Sequence, residues 1–506
     1  MSAPPSATHG NSGPVDVLIV VMDCVRASEF PGGAKNPVSM PFAERLRRES
    51  VVFPQAISVA PWTLPSHASI FTGLYPWEHG CHGRGSLRLD SHVARLASVL
   101  AARGYATASI SGNPIISPQY GMVDGFAYSA WGEWWEQVHR WRSTPTHSQR
   151  GGAAPVSTEL APLSFRDRTT RTLKLILQRI PATLALGDGI GRRIADPDNR
   201  WVGNLNPWIE PSLRSWLDGQ PLQQPTYCFI NLLDAHEPYL LDLVDAASIP
   251  EWWKSMRIAQ DALAVLETPH LPTDDMARMH ELYRRSIEVI DRRLERIVSI
   301  YRDAGRWDRT LLVLTSDHGQ AFGEHGMVWH GISTEEEMLR VPLWVRFPHA
   351  DRGGSVGRGW ATPMDAAPTI LRAAGAPSDL PNSGATLQDL IDSDRPSPLL
   401  SAGDGTEWNR PLMAHLSPQR QSELNVFSVV AYLGATKIVV DPVSGSVRGL
   451  DLSTDPPSPL SESRLSDPTL APVIEAARHA GALLMNPSPS GVTEEVDERL
   501  RSWGYG

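Results

Sequence analysis

Val15-Asp16-Val17-Leu18-Ile19-Val20-Val21-Met22 is an apolar, mostly β-branched run interrupted only by Asp16, and Asp23 follows it at once. A strand with one wet face alternates apolar and polar residues. A strand apolar throughout is buried on both faces, as in the centre of a parallel sheet covered by helices. Working outward, residues 51–53, 106–110, 227–233, 310–315 and 341–346 form further short apolar runs. Segments with helical spacing lie among them, at 40–49, 93–103, 276–301 and 364–374. This alternation predicts an α/β domain with a central, mostly parallel sheet flanked by helices.

Polar residues stand where these strands end. Asp23 closes the first run, and Asn113, in Ser111-Gly112-Asn113-Pro114, follows the run at 106–110. Asp234 and His236, in Asp234-Ala235-His236-Glu237-Pro238-Tyr239, follow 227–233, and Asp317 and His318, in Ser316-Asp317-His318-Gly319, follow 310–315. The carboxyl ends of strands in one open sheet face a common crevice where ligands gather. Asp23, Asp317 and His318 supply two carboxylates and an imidazole, enough for a divalent cation with positions left open. Each residue also has a plain structural use, as a turn former, a cap or a buried hydrogen-bonding ring.

A further stretch, Pro61-Trp62-Thr63-Leu64-Pro65-Ser66-His67-Ala68-Ser69-Ile70-Phe71-Thr72-Gly73, reads as a proline-stiffened loop opening into a helix from Ser66 that stops at Gly73. Thr63 is then either a helix N-cap or a hydroxyl set among free N–H groups where negative charge is stabilised. The second position suits a nucleophile attacking an anionic ester. A cation at the adjoining strand ends could bind that hydroxyl, lower its pKa and screen the ester.

The 506 residues carry a net charge of −10, which argues against a nucleic-acid groove. No apolar run is long enough to span a bilayer, and residues 1–14 read as a disordered start without a signal-peptide core. Three cysteines, Cys24, Cys81 and Cys228, give neither a disulfide framework nor zinc spacing, so a cytoplasmic protein without a membrane anchor is expected. The βα rhythm fades at about 127–222, where Trp131, Trp134, Trp135 and Trp141 cluster. That insertion is either a lid or a surface elaboration. Residues 15–376 form the predicted catalytic domain. Residues 377–506 form a smaller α+β subdomain with a hairpin set at 426–432, 437–441 and 449–451 and a closing helix at 470–484.

Six pieces, taken in order, resemble the sulfatase branch of the alkaline phosphatase superfamily. They are Val20 with Val21-Met22-Asp23-Cys24-Val25-Arg26-Ala27, the stretch from Ala60 through Gly73-Leu74-Tyr75-Pro76 to His79-Gly80, and Asp234-Ala235-His236-Glu237-Pro238-Tyr239. Then come Ser316-Asp317-His318-Gly319, Gly323-Glu324-His325-Gly326 and Arg340-Val341-Pro342-Leu343. The resemblance implies an alkaline phosphatase-like sandwich. It also implies a cation held by Asp23, Thr63, Asp317 and His318, with Thr63 as nucleophile and His236 and His330 acting on the ester. Asn113 and His67 would bind substrate.

The departures carry as much meaning. Typical sulfatases have Cys or Ser where Thr63 stands, in a C/S-x-P-S-R pattern, and oxidise it to formylglycine. Threonine gives no aldehyde by that route, so no formylglycine is expected. His67 replaces the Arg of that pattern, Cys24 a second Asp, His318 an Asn, and Ser111-Gly112-Asn113-Pro114 a lysine-bearing segment. These changes resemble the superfamily's phosphotransfer members, and Asp-plus-His ligation favours zinc or manganese over calcium or magnesium. Cys24 is expected to pack where the missing carboxylate would lie, with a thiolate ligand as the alternative. A second cation, bound through Asp234, His236, His325 or His330, is compatible with the pattern. The expected activity is metal-dependent hydrolysis of a phosphodiester, phosphonate or sulfate ester of a small soluble substrate. A transferase sharing a phospho-Thr63 intermediate, and a catalytically silent binding protein, are the alternatives. The oligomeric state is left open.

Overall fold

The computed structural model describes residues 14–32, 37–131, 208–236, 239, 273–331, 333–376, 379–403, 417, 427–454 and 456–487. The predicted disordered start and most of the Trp-rich insertion lie outside the described residues.

Seven strands form the main sheet: β1 (Asp16–Met22), β2 (Val51–Val52), β3 (Ala106–Ser111), β4 (Tyr128–Trp131), β5 (Thr226–Leu232), β6 (Thr310–Thr315) and β9 (Leu343–Arg346). A separate pair, β7 (Ala321–Phe322) and β8 (Val328–Trp329), makes a small antiparallel ribbon. The order across the main sheet is β2-β9-β6-β1-β5-β3-β4. From β6 to β4 all neighbours are parallel, and only β9 runs against the rest. The mostly parallel sheet expected from the apolar runs is therefore present, with β1 at its centre.

Helices cover both faces: α1 (Pro41–Arg47), α2 (Thr63–Thr72), α3 (Leu96–Ala102), α4 (Ile209–Asp218), α5 (Thr273–Asp303), α6 (Ala366–Ala373) and α7 (Leu387–Asp392). Side chains of β1 alternate between two cores. Leu18, Val20 and Met22 pack with α1, α4 and α5, while Val17, Ile19 and Val21 pack with α2, α3, α6 and α7. Burial on both sides is why the strand tolerates no polar alternation. Its one charged residue, Asp16, lies at the amino end, where Arg306 and Arg309 contact it at 3.1 and 2.6 Å. None of the described helices is long and apolar enough to cross a membrane.

A second sheet of five antiparallel strands comes after it: β10 (Leu399–Gly403), β11 (Ser428–Leu433), β12 (Thr436–Val440), β13 (Val447–Asp451) and β14 (Ser458–Pro459). Alternation in β11 sends Val429 and Ala431 towards α8 (Ala471–Met485), and Val430 and Tyr432 towards Ile57, Leu339 and Trp360. The hairpin set and closing helix match the sequence reading, in which β10 has no counterpart.

Register fixes the working end of the main sheet. Thr315 pairs with Val21, Val21 with Asn231, and Asn231 with Ser111, so four parallel strands finish level with one another. Behind this end, the fully buried Arg293 of α5 grips Asp234 at 3.0 Å and Glu210 at 3.0 Å. Removing one member of such a buried set leaves uncompensated charge. Arg293→Ala should therefore lower stability by about 3–5 kcal/mol. Chemical denaturation read by circular dichroism checks this; a loss below about 1 kcal/mol would show that the two carboxylates find other partners.

Candidate active site

The turn after β1 sets the geometry. Cys24 has a left-handed backbone, φ 65°, unusual for a residue with a side chain and worth about 1–2 kcal/mol of strain. The Tyr283 hydroxyl holds the turn, donating to the Cys24 carbonyl at 3.0 Å and accepting from the Arg26 N–H at 2.8 Å. The neighbouring loop after β6 is stitched to it. The Cys24 N–H donates to Asp317 Oδ1 at 3.3 Å, and the Val25 N–H donates to Ser316 Oγ at 2.9 Å.

Helix α2 begins at Thr63, three residues before the start that its sequence suggests. Trp62 is the cap residue and no side chain caps the end. Pro65 sits inside the first turn, where its missing N–H has no helical partner to lose. Thr63 is thus not the N-cap. Its hydroxyl points instead to His318, with Oγ1 3.3 Å from Nε2. The start of α2 is anchored to the β6 loop: Ser66 Oγ donates to the Ala60 carbonyl at 3.0 Å and meets Ser58 Oγ at 3.1 Å, and Ser58 Oγ reaches the Asp317 carbonyl. At the far end Gly73 takes φ 72°, the left-handed stop expected from its sequence position.

Four groups converge in the resulting pocket. His318 Nδ1 donates to the Gly319 carbonyl at 2.9 Å, which directs Nε2 inward. Nε2 lies 3.2 Å from Asp317 Oδ2, 3.3 Å from Thr63 Oγ1 and 3.9 Å from Asp23 Oδ1. All four residues are buried. Burial would raise the Asp317 carboxyl, but the His318 imidazole outweighs it and holds it well below the carboxylate range. Burial would likewise lower His318, yet the Asp317 carboxylate prevails and pushes it up to about 9. The pocket favours positive charge.

Beside it stand three more potential ligands. Cys24 Sγ is 3.4 Å from Asp23 Oδ1 and 3.8 Å from His330 Nδ1. The His330 ring stacks on His318 at 4.6 Å and meets His236 edge-on at 5.0 Å. Burial, reinforced by the neighbouring His318 and His236 rings, keeps His330 well below the ordinary imidazole range, so it is neutral.

Residues 16–376 match the family model described as Sulfatase. The chain belongs to the sulfatase family. It is 24% identical to N-acetylglucosamine-6-O-sulfatase of Bacteroides thetaiotaomicron, over 75% of this chain and 70% of that protein. It is also 24% identical to the multifunctional alkaline phosphatase superfamily protein PehA of Trinickia caryophylli, over 78% of this chain and 79% of that one. Among solved structures, the phosphonate monoester hydrolase of Agrobacterium radiobacter superposes with a TM-score of 0.58 at 19% identity, covering 97% of this chain and 96% of that one. The α/β architecture is thus a sulfatase-family fold, and the chain is a hydrolase of sulfate or phosphate ester bonds.

Sulfatase-family enzymes are metal-dependent, and the pocket fits a cation. Asp317 Oδ2 is buried and accepts no hydrogen bond, despite its closeness to the His318 ring. With Nδ1 committed to Gly319, a neutral His318 aims a lone pair at three oxygens, an arrangement that requires a proton or a cation among them. Asp23, Thr63, Asp317 and His318 can supply that ligand set.

Two residues expected to contact substrate, His67 and Asn113, have partners inside the protein. His67 is fully enclosed, with Nδ1 2.9 Å from the Thr63 carbonyl and Nε2 3.3 Å from Asn231 Nδ2. It braces the first turn of α2, and its Nδ1 also lies 3.5 Å from Asp317 Oδ2. Asn113 donates from Nδ2 to Asp23 Oδ2 at 2.9 Å and accepts the Ile115 N–H on Oδ1 at 2.9 Å. Its amide thus helps to orient Asp23. Asp234, one of the candidates for a second cation, is held by Arg293 instead. His325 is 55% exposed and faces Glu337 at 3.6 Å. Trp329 belongs to β8, and His330 comes directly after that strand.

Asn231 has no place among the residues expected from sequence, yet it belongs to the site. Its Nδ2 donates to Asp23 Oδ2 at 3.1 Å as well as approaching His67. A signal exists: it is the lone polar side chain in the run Phe229-Ile230-Asn231-Leu232-Leu233. Asp317→Asn combined with His318→Ala should empty this pocket, read as one metal fewer per chain than wild type, while keeping a cooperative unfolding transition; an unchanged metal content would move the site elsewhere. Asn113→Ala and Asn231→Ala should each weaken metal affinity about 10–100-fold in chelator competition. Unchanged affinity would show that Asp23 needs neither amide.

Proposed function

We propose that this sulfatase-family hydrolase cleaves a singly charged phosphodiester or phosphonate ester of a small soluble substrate by direct attack of the Thr63 hydroxyl. The observation that carries the reading is the uncapped start of α2, with Thr63 Oγ1 turned to His318 among two buried carboxylates. A divalent cation held by Asp23, Thr63, Asp317 and His318, zinc or manganese by its ligand types, would lower the pKa of that hydroxyl and screen the ester.

The chain's own groups do the rest. The first turn of α2 presents its N-terminal dipole to negative charge gathering at Thr63. Thr63 Oγ1 bonds to phosphorus as the ester alcohol leaves, and water then releases the acid and restores the hydroxyl. His236 and His330 offer N–H groups to the ester oxygens. Transfer of the same group to an alcohol would make the chain a transferase, and product analysis with an added acceptor alcohol separates the two.

Charge supports a monoanion. His67 and Asn113 stand where the sulfatase pattern has Arg and Lys, and both are engaged inside the protein. The nearby described guanidinium groups, Arg26 and Arg293, are each locked to carboxylates. A phosphate monoester brings close to two charges, whereas a diester or phosphonate monoester brings one.

Thr63→Ala should cut turnover by about three orders of magnitude or more while keeping metal and fold. Wild-type activity in that variant would remove Thr63 from the chemistry. With one common leaving group, kcat/KM should be higher for phosphodiester and phosphonate monoester than for phosphate monoester, and weak for sulfate. Dominant sulfate or phosphate-monoester turnover would mean that the site holds more positive charge than these residues supply.

A further inference from the structure

Cys24, His236 and His330 come from three distant segments: the end of β1, the loop after β5 and the turn after β8. Cys24 Sγ and one ring nitrogen from each histidine all lie within 4.8 Å of one another. In tetrahedral zinc, bonds of about 2.3 Å to sulfur and about 2.0–2.1 Å to nitrogen set an S···N edge near 3.6 Å. The edge between Cys24 Sγ and His330 Nδ1 is 3.8 Å. A thiol–imidazole hydrogen bond describes that one contact; the cluster also brings in His236 from a third segment.

We propose that Cys24, His236 and His330 form a second metal site, a thiolate and two imidazoles with a fourth position open to water or an ester oxygen. Such soft ligands select zinc or a similar transition metal over calcium and magnesium, which take oxygen ligands. The site adjoins the first one, since Cys24 Sγ is 3.4 Å from Asp23 Oδ1 and the His330 ring stacks on His318. It rests on the proposed function only in calling that neighbouring pocket catalytic; Cys24 also lies within ligand reach of Asp23 and His318, while His236 and His330 belong to the second cluster alone.

The charge balance stays compatible with a singly charged ester. A coordinated thiol is deprotonated. Cys24, Asp23 and Asp317 then carry three negative charges against four from two divalent cations, leaving one positive charge. In this arrangement His236 and His330 serve the ester as ligands, and their N–H groups are no longer its direct partners.

The test uses the full chain, stripped with chelator and reloaded with zinc or cobalt(II). Elemental analysis should give two metals per wild-type chain, and the cobalt form should show a thiolate-to-metal charge-transfer band in the near ultraviolet. Cys24→Ser and His330→Ala should each fall to one metal, and Cys24→Ser should lose the band. Asp317→Asn with His318→Ala should also fall to one metal but keep the band, so failure of the first site and failure of the second are read separately. A wild-type protein that takes up cobalt without the band, or a Cys24→Ser variant that still binds two metals, overturns the proposal. The wild-type spectrum decides the matter even if a variant fails to fold.

Discussion

Two buried carboxylates and an imidazole lone pair cannot share one pocket without positive charge among them, and the rest of the working end is arranged around that constraint. Asp23 and Asp317 come from adjacent parallel strands whose register makes them finish level. Each carboxylate has one oxygen held by amide donors of the protein and one turned inward. For Asp23 the held oxygen takes both side-chain amides, from Asn113 and Asn231. For Asp317 it takes the N–H groups of Cys24 and His318. Donors on the outer oxygens leave the inner ones facing the pocket, which is how a protein orients ligands before any ion arrives.

Helix α2 meets this pocket through fixed contacts. Ser58 and Ser66 tie its first turn to the backbone around Asp317, and His67 ties the Thr63 carbonyl to Asn231, which itself holds Asp23. Thr63 and the proposed metal ligands therefore belong to one hydrogen-bonded unit. All ten residues of the helix are buried, so tilting it would disturb the core on that face as well as the pocket. Positioning of this kind supplies much of the advantage that catalysis gains from orientation.

The sheet, its direction and the strand-end clusters are legible in the sequence for a physical reason. Burial on both faces writes a continuous apolar run, and in a parallel sheet the polar residues after each run gather at one edge. Direction within the cluster is not legible. His67 and Asn113 do lie near the site, but whether a polar side chain faces substrate or bonds inward depends on partners far away in sequence. The start of α2 is hidden because Pro65 looks like an approach residue, whereas a proline in the first turn loses nothing. Strand β10 is short and rich in small residues, in a stretch dominated by Pro, Ser and Asp. The two-residue strands β7 and β8 are too brief to show any period.

Cys24 links the strained turn to the choice of metal. A carboxylate at that position would add a third hard oxygen beside Asp23 and Asp317, suited to a calcium-type ion. A thiol is shorter in reach and softer, and the left-handed turn, clamped by Tyr283, delivers it between Asp23 and His330. Non-glycine residues persist in such strained backbone only where surrounding contacts over-determine them, and such residues cluster at functional sites. Against the sulfatase pattern that the sequence resembles, Cys24 and His318 put a sulfur and a nitrogen where a carboxylate and an amide would be expected. In the proposed reading, ligand softness, more than the shape of the fold, would separate this chain's chemistry from that of a formylglycine enzyme. The proposed role of Thr63 follows the same logic: a hydroxyl with no aldehyde to hydrate would have to be made nucleophilic by its surroundings, and a more polarising cation would do that better than calcium.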